Sequence, residues 1–221
     1  MSEFTGTDRT KVRRHPERGT YDREIIYKIL DEAFVCHVAF IVDGVPYVVP
    51  TNYVRVGDKL FLHGSMASRL MRALGSGAPF CLSVTLLDGI VLSPTATGHS
   101  VNYRSVVVMG PATKVSDPEE KRRVLDLFVD AILPGRSGEV RPMNERELDL
   151  TLVVRVEISE ASAKVSSGPT EDFEEDLELP IWSGTIPAHL HFDPPVASHD
   201  GAMASGHVAL PESVQRLYHE Q

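Results

Sequence analysis

The dipeptide Asp43-Gly44 stands between two β-rich runs, residues 34–42 and 45–56. A two-residue hairpin turn needs positive φ at both central positions, and Asp-Gly supplies it at low cost. Gly57-Asp58 marks a second turn before the short run 59–63. Three strands joined by tight turns form an antiparallel meander. A doubly wound parallel fold needs regular βαβ alternation, which this order of elements excludes.

The rest of the chain extends this pattern. Asp22 sits where an N-cap belongs, ahead of Ile25, Ile26, Ile29 and Leu30 at helical spacing, which predicts a helix over 22–32. Met66, Leu70, Met71 and Leu74 predict a second helix over 65–74, ended by Gly75-Ser76-Gly77. Residues 79–93 and 101–115 read as long strands, the latter broken by Gly110-Pro111 as at a bulge or edge. Asp117-Pro118-Glu119-Glu120 opens a helix whose apolar face is Val124, Leu125, Phe128, Val129 and Ile132. Residues 144–150 have helical character, and 151–158 with 161–166 read as a closing hairpin. The expected fold class is mainly β (α+β): about six antiparallel strands in a closed barrel with flanking helices. An N-terminal arm occupies 1–21, the barrel domain 22–168, and a C-terminal arm 169–221, which packs on the barrel or a dimer partner and ends in a partly flexible tail.

Charge narrows the function. With 22 basic and 31 acidic residues the net charge is −9, which argues against a nucleic-acid partner because that needs a basic field. A local basic pocket for one phosphate remains compatible with it. No apolar run approaches the roughly 20 residues of a membrane span. The first 18 residues are polar and charged, so a cytoplasmic protein is the expectation. Cys36 and Cys81 lie in apolar runs and read as buried thiols. Five of the nine histidines follow Ile186. His189 and His191 could share a strand face, but no third ligand follows at metal spacing, so no metal site is expected.

Three segments could carry chemistry. In Leu62-His63-Gly64-Ser65-Met66-Ala67-Ser68-Arg69 a strand gives way to a helix. Helix N-termini suit anions, and two serines and an arginine there make a plausible phosphate site, although an ordinary serine cap explains the same residues. In Asn102-Tyr103-Arg104-Ser105, alternation places Asn102 and Arg104 on one strand face and Tyr103 and Ser105 on the other. A solvated strand end is the plainer reading. Pro50-Thr51-Asn52-Tyr53 is unusually polar for a strand; it fits a flat polar ligand or an edge strand with a bulge.

Taken together, these segments resemble the pyridoxamine 5′-phosphate oxidase-like flavoproteins, the FMN-binding split β-barrels. Within them the chain is similar to the flavin-nucleotide-binding branch that includes nitroimidazole-resistance reductases. The resemblance also rests on Arg14-His15-Pro16-Glu17-Arg18-Gly19-Thr20-Tyr21-Asp22 and Ile181-Trp182-Ser183-Gly184-Thr185-Ile186-Pro187, so it spans 14–187. It implies a six-stranded antiparallel split β-barrel, and a homodimer with flavin sites at the interface. Pro50, Thr51, Asn52 and Tyr53 would lie along the isoalloxazine ring. His63, Gly64, Ser65, Ser68 and Arg69 would surround the phosphate and ribityl chain. Asn102, Tyr103, Arg104 and Ser105 would add polar contacts, and Trp182 would reach in from the arm or serve as a hydrophobic anchor.

The function so implied is an FMN-dependent oxidoreductase reducing a small acceptor, with the flavin carrying the electrons. No catalytic acid or base stands out. A non-catalytic flavin carrier or sensor is the alternative, as is a barrel that holds FAD, the deazaflavin F420 or haem. For haem, His63 and His99 are the candidate ligands. The sequence shows no second basic set for a vitamin B6 phosphate, so true pyridoxamine 5′-phosphate oxidase activity is not expected.

Overall fold

The structure is a computed structural model that describes residues 2–170, 172–176, 178–196 and 209–219. Most of the distal tail expected to be flexible, 197–208, lies outside the described residues. The chain groups into two compact units. One comprises Met1–Val115 with Leu150–His189, the other Ser116–Asp149 with Leu190–Gln221.

The first unit is built from two antiparallel sheets. The larger has the order β1 (Gly19–Thr20), β10 (Glu160–Ser166), β7 (Ser100–Met109), β6 (Phe80–Leu92), β2 (Val35–Val42), β3 (Val45–Asn52), with β11 (Gly184–Pro187) also pairing β6. The smaller runs β4 (Val54–Val56), β5 (Lys59–Ser65), β9 (Thr151–Glu157), β8 (Ala112–Lys114). The Asp43-Gly44 turn closes the β2–β3 hairpin as predicted, with Asp43 at φ 51° and Gly44 at φ 76°. This is the split-barrel class, with antiparallel sheets and flanking helices, although its strands outnumber the six expected.

The sheets are joined by chain that leaves one and enters the other. The predicted run 45–56 breaks at Tyr53, the run 101–115 breaks at Gly110-Pro111, and Ile158-Ser159 separates β9 from β10. Two of these corners touch. A Cβ on Gly110 would lie 2.1 Å from the Glu157 carbonyl oxygen, and Glu157 N–H donates to the Pro111 carbonyl at 3.2 Å. Only glycine permits that approach. Both sheets then bury their inner faces in one cluster, including Val38, Leu60, Leu62, Leu82, Val84, Val106, Val108 and Val154.

Two helices cover the barrel. In α1 (Arg23–Glu32), the Asp22 carboxylate accepts from Glu24 and Ile25 N–H, and Ile26, Ile29 and Leu30 are buried. The other, α2 (Arg69–Gly75), begins four residues later than its periodicity predicts. Strand β5 continues through Ser65, and the true cap is Ser68. In the second unit, Asp117 caps α3 (Pro118–Ile132), which buries Val124, Leu125 and Phe128. There α4 (Glu145–Leu150) follows, and Ser213 of α5 (Glu212–His219) donates to the Glu139 carboxylate. Among the described residues no helix is long and apolar enough to cross a membrane.

Replacing Gly110 with Ala should cost about 2–3 kcal/mol, in the range for a forced backbone shift at a half-buried contact. Urea unfolding monitored by circular dichroism measures it. An unchanged midpoint would show that the corner yields freely.

Candidate functional site

The register of the larger sheet decides which site residues share a face. His37 pairs with Pro50 on β3 and with Ser83 on β6. Thr85 pairs with Ser105, and Leu87 with Tyr103, on β7. Alternation along each strand then puts Asn52, Pro50, Val48, Val35, His37, Ile41, Ser83, Thr85, Leu87, Ser105 and Tyr103 on the outer face. Pro50, Asn52, Tyr103 and Ser105 are thus brought onto one surface. Asn52 and Ser105 lie three strands apart, about 14 Å at ordinary strand spacing. Strand β3 is an edge of this sheet, which is why two prolines are tolerated in it.

This outer face is open and mixes exposed aliphatics with polar side chains. Val48 is 65% exposed, Ile41 61% and Leu87 55%. An uncovered sheet face with exposed aliphatics to this extent marks a place for another surface. At the far end of the β2–β3 hairpin it meets a cavity of about 510 Å³ lined by Ile41, Val42, Asp43, Arg69, Arg72 and Ala73, among others. The Arg69 guanidinium lies 4.4 Å over the Tyr47 ring.

Several expected ligand contacts are corrected by the geometry. Tyr53 is buried and donates its hydroxyl proton to the Leu30 carbonyl, so its side chain belongs to the core. Burial raises its phenol pKa. Thr51 pairs with buried Cys36 and shares its inward side. The residues expected as a phosphate cradle are divided: Ser65 and Ser68 have local backbone donors, and His63 and Gly64 point to opposite faces of β5. Ser68 Oγ accepts from Met71 N–H at 3.4 Å and Ser65 Oγ from Ala67 N–H at 3.2 Å, so both serve the chain's own turns. Gly64 faces α2, because a Cβ there would come within 3.0 Å of Met71 Cγ. His63, one residue before it, points to the opposite sheet face, across from Val153. Burial lowers its pKa, keeping it neutral at pH 7. Of that set, Arg69 remains at a cavity, joined by Arg72.

Arg104 is also committed elsewhere. It shares the face of Asn102, as alternation predicted, and two carboxylates hold its guanidinium. Nε and Nη2 donate to Asp88 at 2.9 and 2.7 Å, and Nη2 donates to Glu32 at 2.7 Å. These bonds raise the Arg104 pKa, and the Arg104 hydrogen bond lowers that of Glu32. Trp182 is 66% exposed and lies over Gly184, whose missing Cβ would be 3.1 Å from its ring. It precedes β11, which fastens this part of the arm to β6.

A second cavity of about 510 Å³ collects residues that sequence reasoning did not join. Arg14, His15, Glu17 and Arg18 come from the N-terminal arm, His99, Ser100 and Asn102 from the start of β7, and Ser166 and Thr170 from the end of β10 and beyond. Arg14 and Arg18 thus line one cavity with residues far from them in the sequence. Its signal was the Arg14–Arg18 motif, but the contact needs β1 paired to β10, through Gly19 with Lys164 and Thr20 with Ala163. Among the described residues, no three His, Cys, Asp or Glu side chains are grouped to hold a metal ion.

The sequence profile described as pyridoxamine 5′-phosphate oxidase matches residues 22–165. The chain belongs to this pyridoxamine 5′-phosphate oxidase-like family of flavin-binding split barrels. It is similar to the structure of the flavocytochrome Anf3 from Azotobacter vinelandii: 38% identity, 95% of this chain and 96% of that one, TM-score 0.88. It is also similar to the FAD and heme binding protein from Mycobacterium smegmatis: 34% identity, 90% and 97% coverage, TM-score 0.85. A 5-nitroimidazole antibiotic resistance protein from Bacteroides thetaiotaomicron shares the fold at 24% identity, 66% and 86% coverage, TM-score 0.57. No curated protein matches the sequence.

The Arg104–Glu32 pair sets a pH dependence. Because the folded-state pKa of Glu32 is lowered, its contribution is present above the ordinary carboxylate pKa and is lost as pH falls through the folded value. Glu32→Gln should cost on the order of 1 kcal/mol at pH 7, since the pair is half exposed and screened. The difference in melting temperature from wild type should shrink as pH falls from the ordinary carboxylate range through the lowered folded-state pKa. A gap that is constant with pH would exclude the ion pair as its source.

Proposed function

We propose that this chain is a flavin-nucleotide-binding redox protein that works as a homodimer, with the flavin ring lying on the outer face of the larger sheet. The observation that carries this reading is that face: uncovered, with exposed aliphatics Val35, Ile41, Val48 and Leu87 beside Pro50 and the polar positions His37, Asn52, Ser83, Thr85, Tyr103 and Ser105. A planar ring buries its faces on apolar side chains and hydrogen-bonds at its edge, which such a surface suits. Arg69 and Arg72 at the adjoining cavity supply cationic partners for a phosphate. The flavin would bring the hydride and electron chemistry, and the protein position and electrostatics.

The dimer follows from the same face. Burying Val35, Ile41, Val48 and Leu87 against a second copy would remove them from water, at about 25 cal/mol per Å² of apolar area. Exposed Leu179, Ile181, Trp182 and Ile186 on the arm add apolar surface of the same kind.

The similar flavocytochrome at 38% identity and the FAD and heme binding protein at 34% support a second element, a haem beside the flavin, and the latter favours FAD over FMN. Of the two candidate histidines, His99 fits a haem better. Its Nδ1 lies 2.9 Å from the Thr95 carbonyl oxygen, which can only accept. An Nδ1–H donated there would leave Nε2 to hold a haem iron. Whether the flavin is reduced by a nicotinamide, and whether the electrons go to a small acceptor or the protein serves as a carrier, is decided by anaerobic NADH or NADPH addition. Bleaching of a flavin band supports the reductase, and its absence the carrier.

Three measurements test this reading. The purified protein should be coloured, with flavin bands near the visible region's blue end and a haem Soret band that His99→Ala abolishes. Arg69→Ala should weaken binding of a flavin nucleotide by about 1.5–3 kcal/mol while sparing riboflavin, the cost of one hydrogen bond to a charged group. Val48→Asp should convert a sedimenting dimer to a monomer with loss of flavin. A flavin-loaded wild-type monomer at micromolar concentration would overturn the shared site.

A further inference from the structure

The cavity at Arg14 and Arg18 is distinct from the one at Arg69. It is walled by the N-terminal arm, the loop before β7 and the chain after β10, and each wall is tied down. Gly19 and Thr20 pair with β10. Lys164 Nζ donates to the Arg14 carbonyl at 3.0 Å, and Arg18 Nη1 donates to Ser166 Oγ at 3.3 Å. Asn102 Nδ2 donates to the Gly168 carbonyl at 3.0 Å. The loop before β7 is closed by Ser93, whose hydroxyl donates to Asp172 at 2.6 Å. It fits only because residue 98 is glycine: a Cβ there would lie 2.2 Å from Ser93 Oγ. His15 holds a left-handed backbone, φ 54° and ψ 61°, uncommon for a residue with a Cβ.

These constraints gather two guanidinium groups, two imidazoles and the hydroxyls of Ser100, Ser166 and Thr170 around one space, in a protein of net charge −9. Glu17 offsets part of that charge, with its carboxylate 3.0 Å from His15 Nδ1 and 3.8 Å from Arg18 Nε. Arg14, exposed, has its guanidinium in none of these bonds. Guanidinium forks with hydroxyl and amide donors are the chemistry that holds a phosphate or carboxylate.

We propose that this cavity is a second anion site, in which Arg14 and Arg18 bind the phosphate or carboxylate group of a ligand. Its anion-binding character follows from these side chains and does not require the flavin or haem reading. The group has two cofactor sources, the phosphates of a flavin nucleotide and the propionates of a haem, and a free phosphorylated small molecule is the third.

The test is calorimetric titration of the full chain, stripped of bound cofactor, with inorganic pyrophosphate. Arg14→Glu should weaken it about tenfold or more, the effect of losing one charge-assisted hydrogen bond, and Arg14→Lys should recover part of the loss. Near-ultraviolet circular dichroism identical to wild type confirms that the exposed substitution leaves the fold intact. Arg18→Gln, which also removes a bond to Ser166, should add to the effect of Arg14→Glu. Paired ligands then identify the source. If Arg14→Glu abolishes the advantage of FMN or FAD over riboflavin, the flavin phosphate occupies the site. If it abolishes the advantage of protohaem over its dimethyl ester, the propionates do. A pyrophosphate effect without either change assigns the cavity to a free phosphorylated ligand. Unchanged pyrophosphate affinity in Arg14→Glu, alone and combined with Arg18→Gln, overturns the proposal, whatever cofactors the protein is found to bind.

Discussion

The corners at Gly110 and Glu157 approach so closely that no side chain fits at residue 110, and the joining of the two sheets depends on that approach. Strand β7 leaves the larger sheet there and re-enters the smaller one as β8, while β9 turns back toward β10. The two corners share a hydrogen bond, Glu157 N–H to the Pro111 carbonyl, and leave no room for a side chain at residue 110. Because they cross so tightly, both sheets can present their inner faces to one cluster. Val106 and Val108 from one sheet then meet Val154 and Val156 from the other in a single core. A looser crossing would separate the sheets and leave two half-buried faces, at a cost that grows with the apolar area returned to water.

Filling one side of the larger sheet completely leaves the other side to chemistry. Its outward side chains are a mixture of exposed aliphatics and short polar groups, with prolines confined to the edge strand. Nothing in a barrel's own stability asks for Val48 or Ile41 to be apolar when each is more than half exposed. A face of that kind fits the flavin proposed for it, and the chain belongs to a flavin-binding family.

Charge is handled in two ways. Arg104 is locked by Glu32 and Asp88, and Arg55 pairs with Asp31 while stacking on Tyr27. These cations serve the fold. Arg14, Arg18, Arg69 and Arg72 line cavities. Residue type does not separate the two groups, since every one is an arginine in or beside a polar motif. Partners decide it, and partners are set by strand register and by which helix end lies nearby.

Much of the fold was legible from local rules, because those rules act over a few residues. Asp43-Gly44 specifies its hairpin, Asp22 and Asp117 specify their caps, and alternation correctly separates Asn102 and Arg104 from Tyr103 and Ser105. The site was legible only in part. Pro50 and Asn52 face outward, but Tyr53 turns into the core where the strand bends between sheets, and a run of β-forming residues carries no mark of that bend. Ser65 and Ser68 were ambiguous between ligand and cap, and the strand's extension through Ser65 settled them as local acceptors. The cavity at Arg14 lay beyond sequence reasoning because its three walls are far apart in the chain and meet through the β1–β10 and β10–β7 ladders. The sequence by itself determined the turns, the caps and the antiparallel class, all of which are encoded within a few residues. Tertiary structure decided which polar side chains face a ligand and which face each other, because that depends on pairing between distant strands.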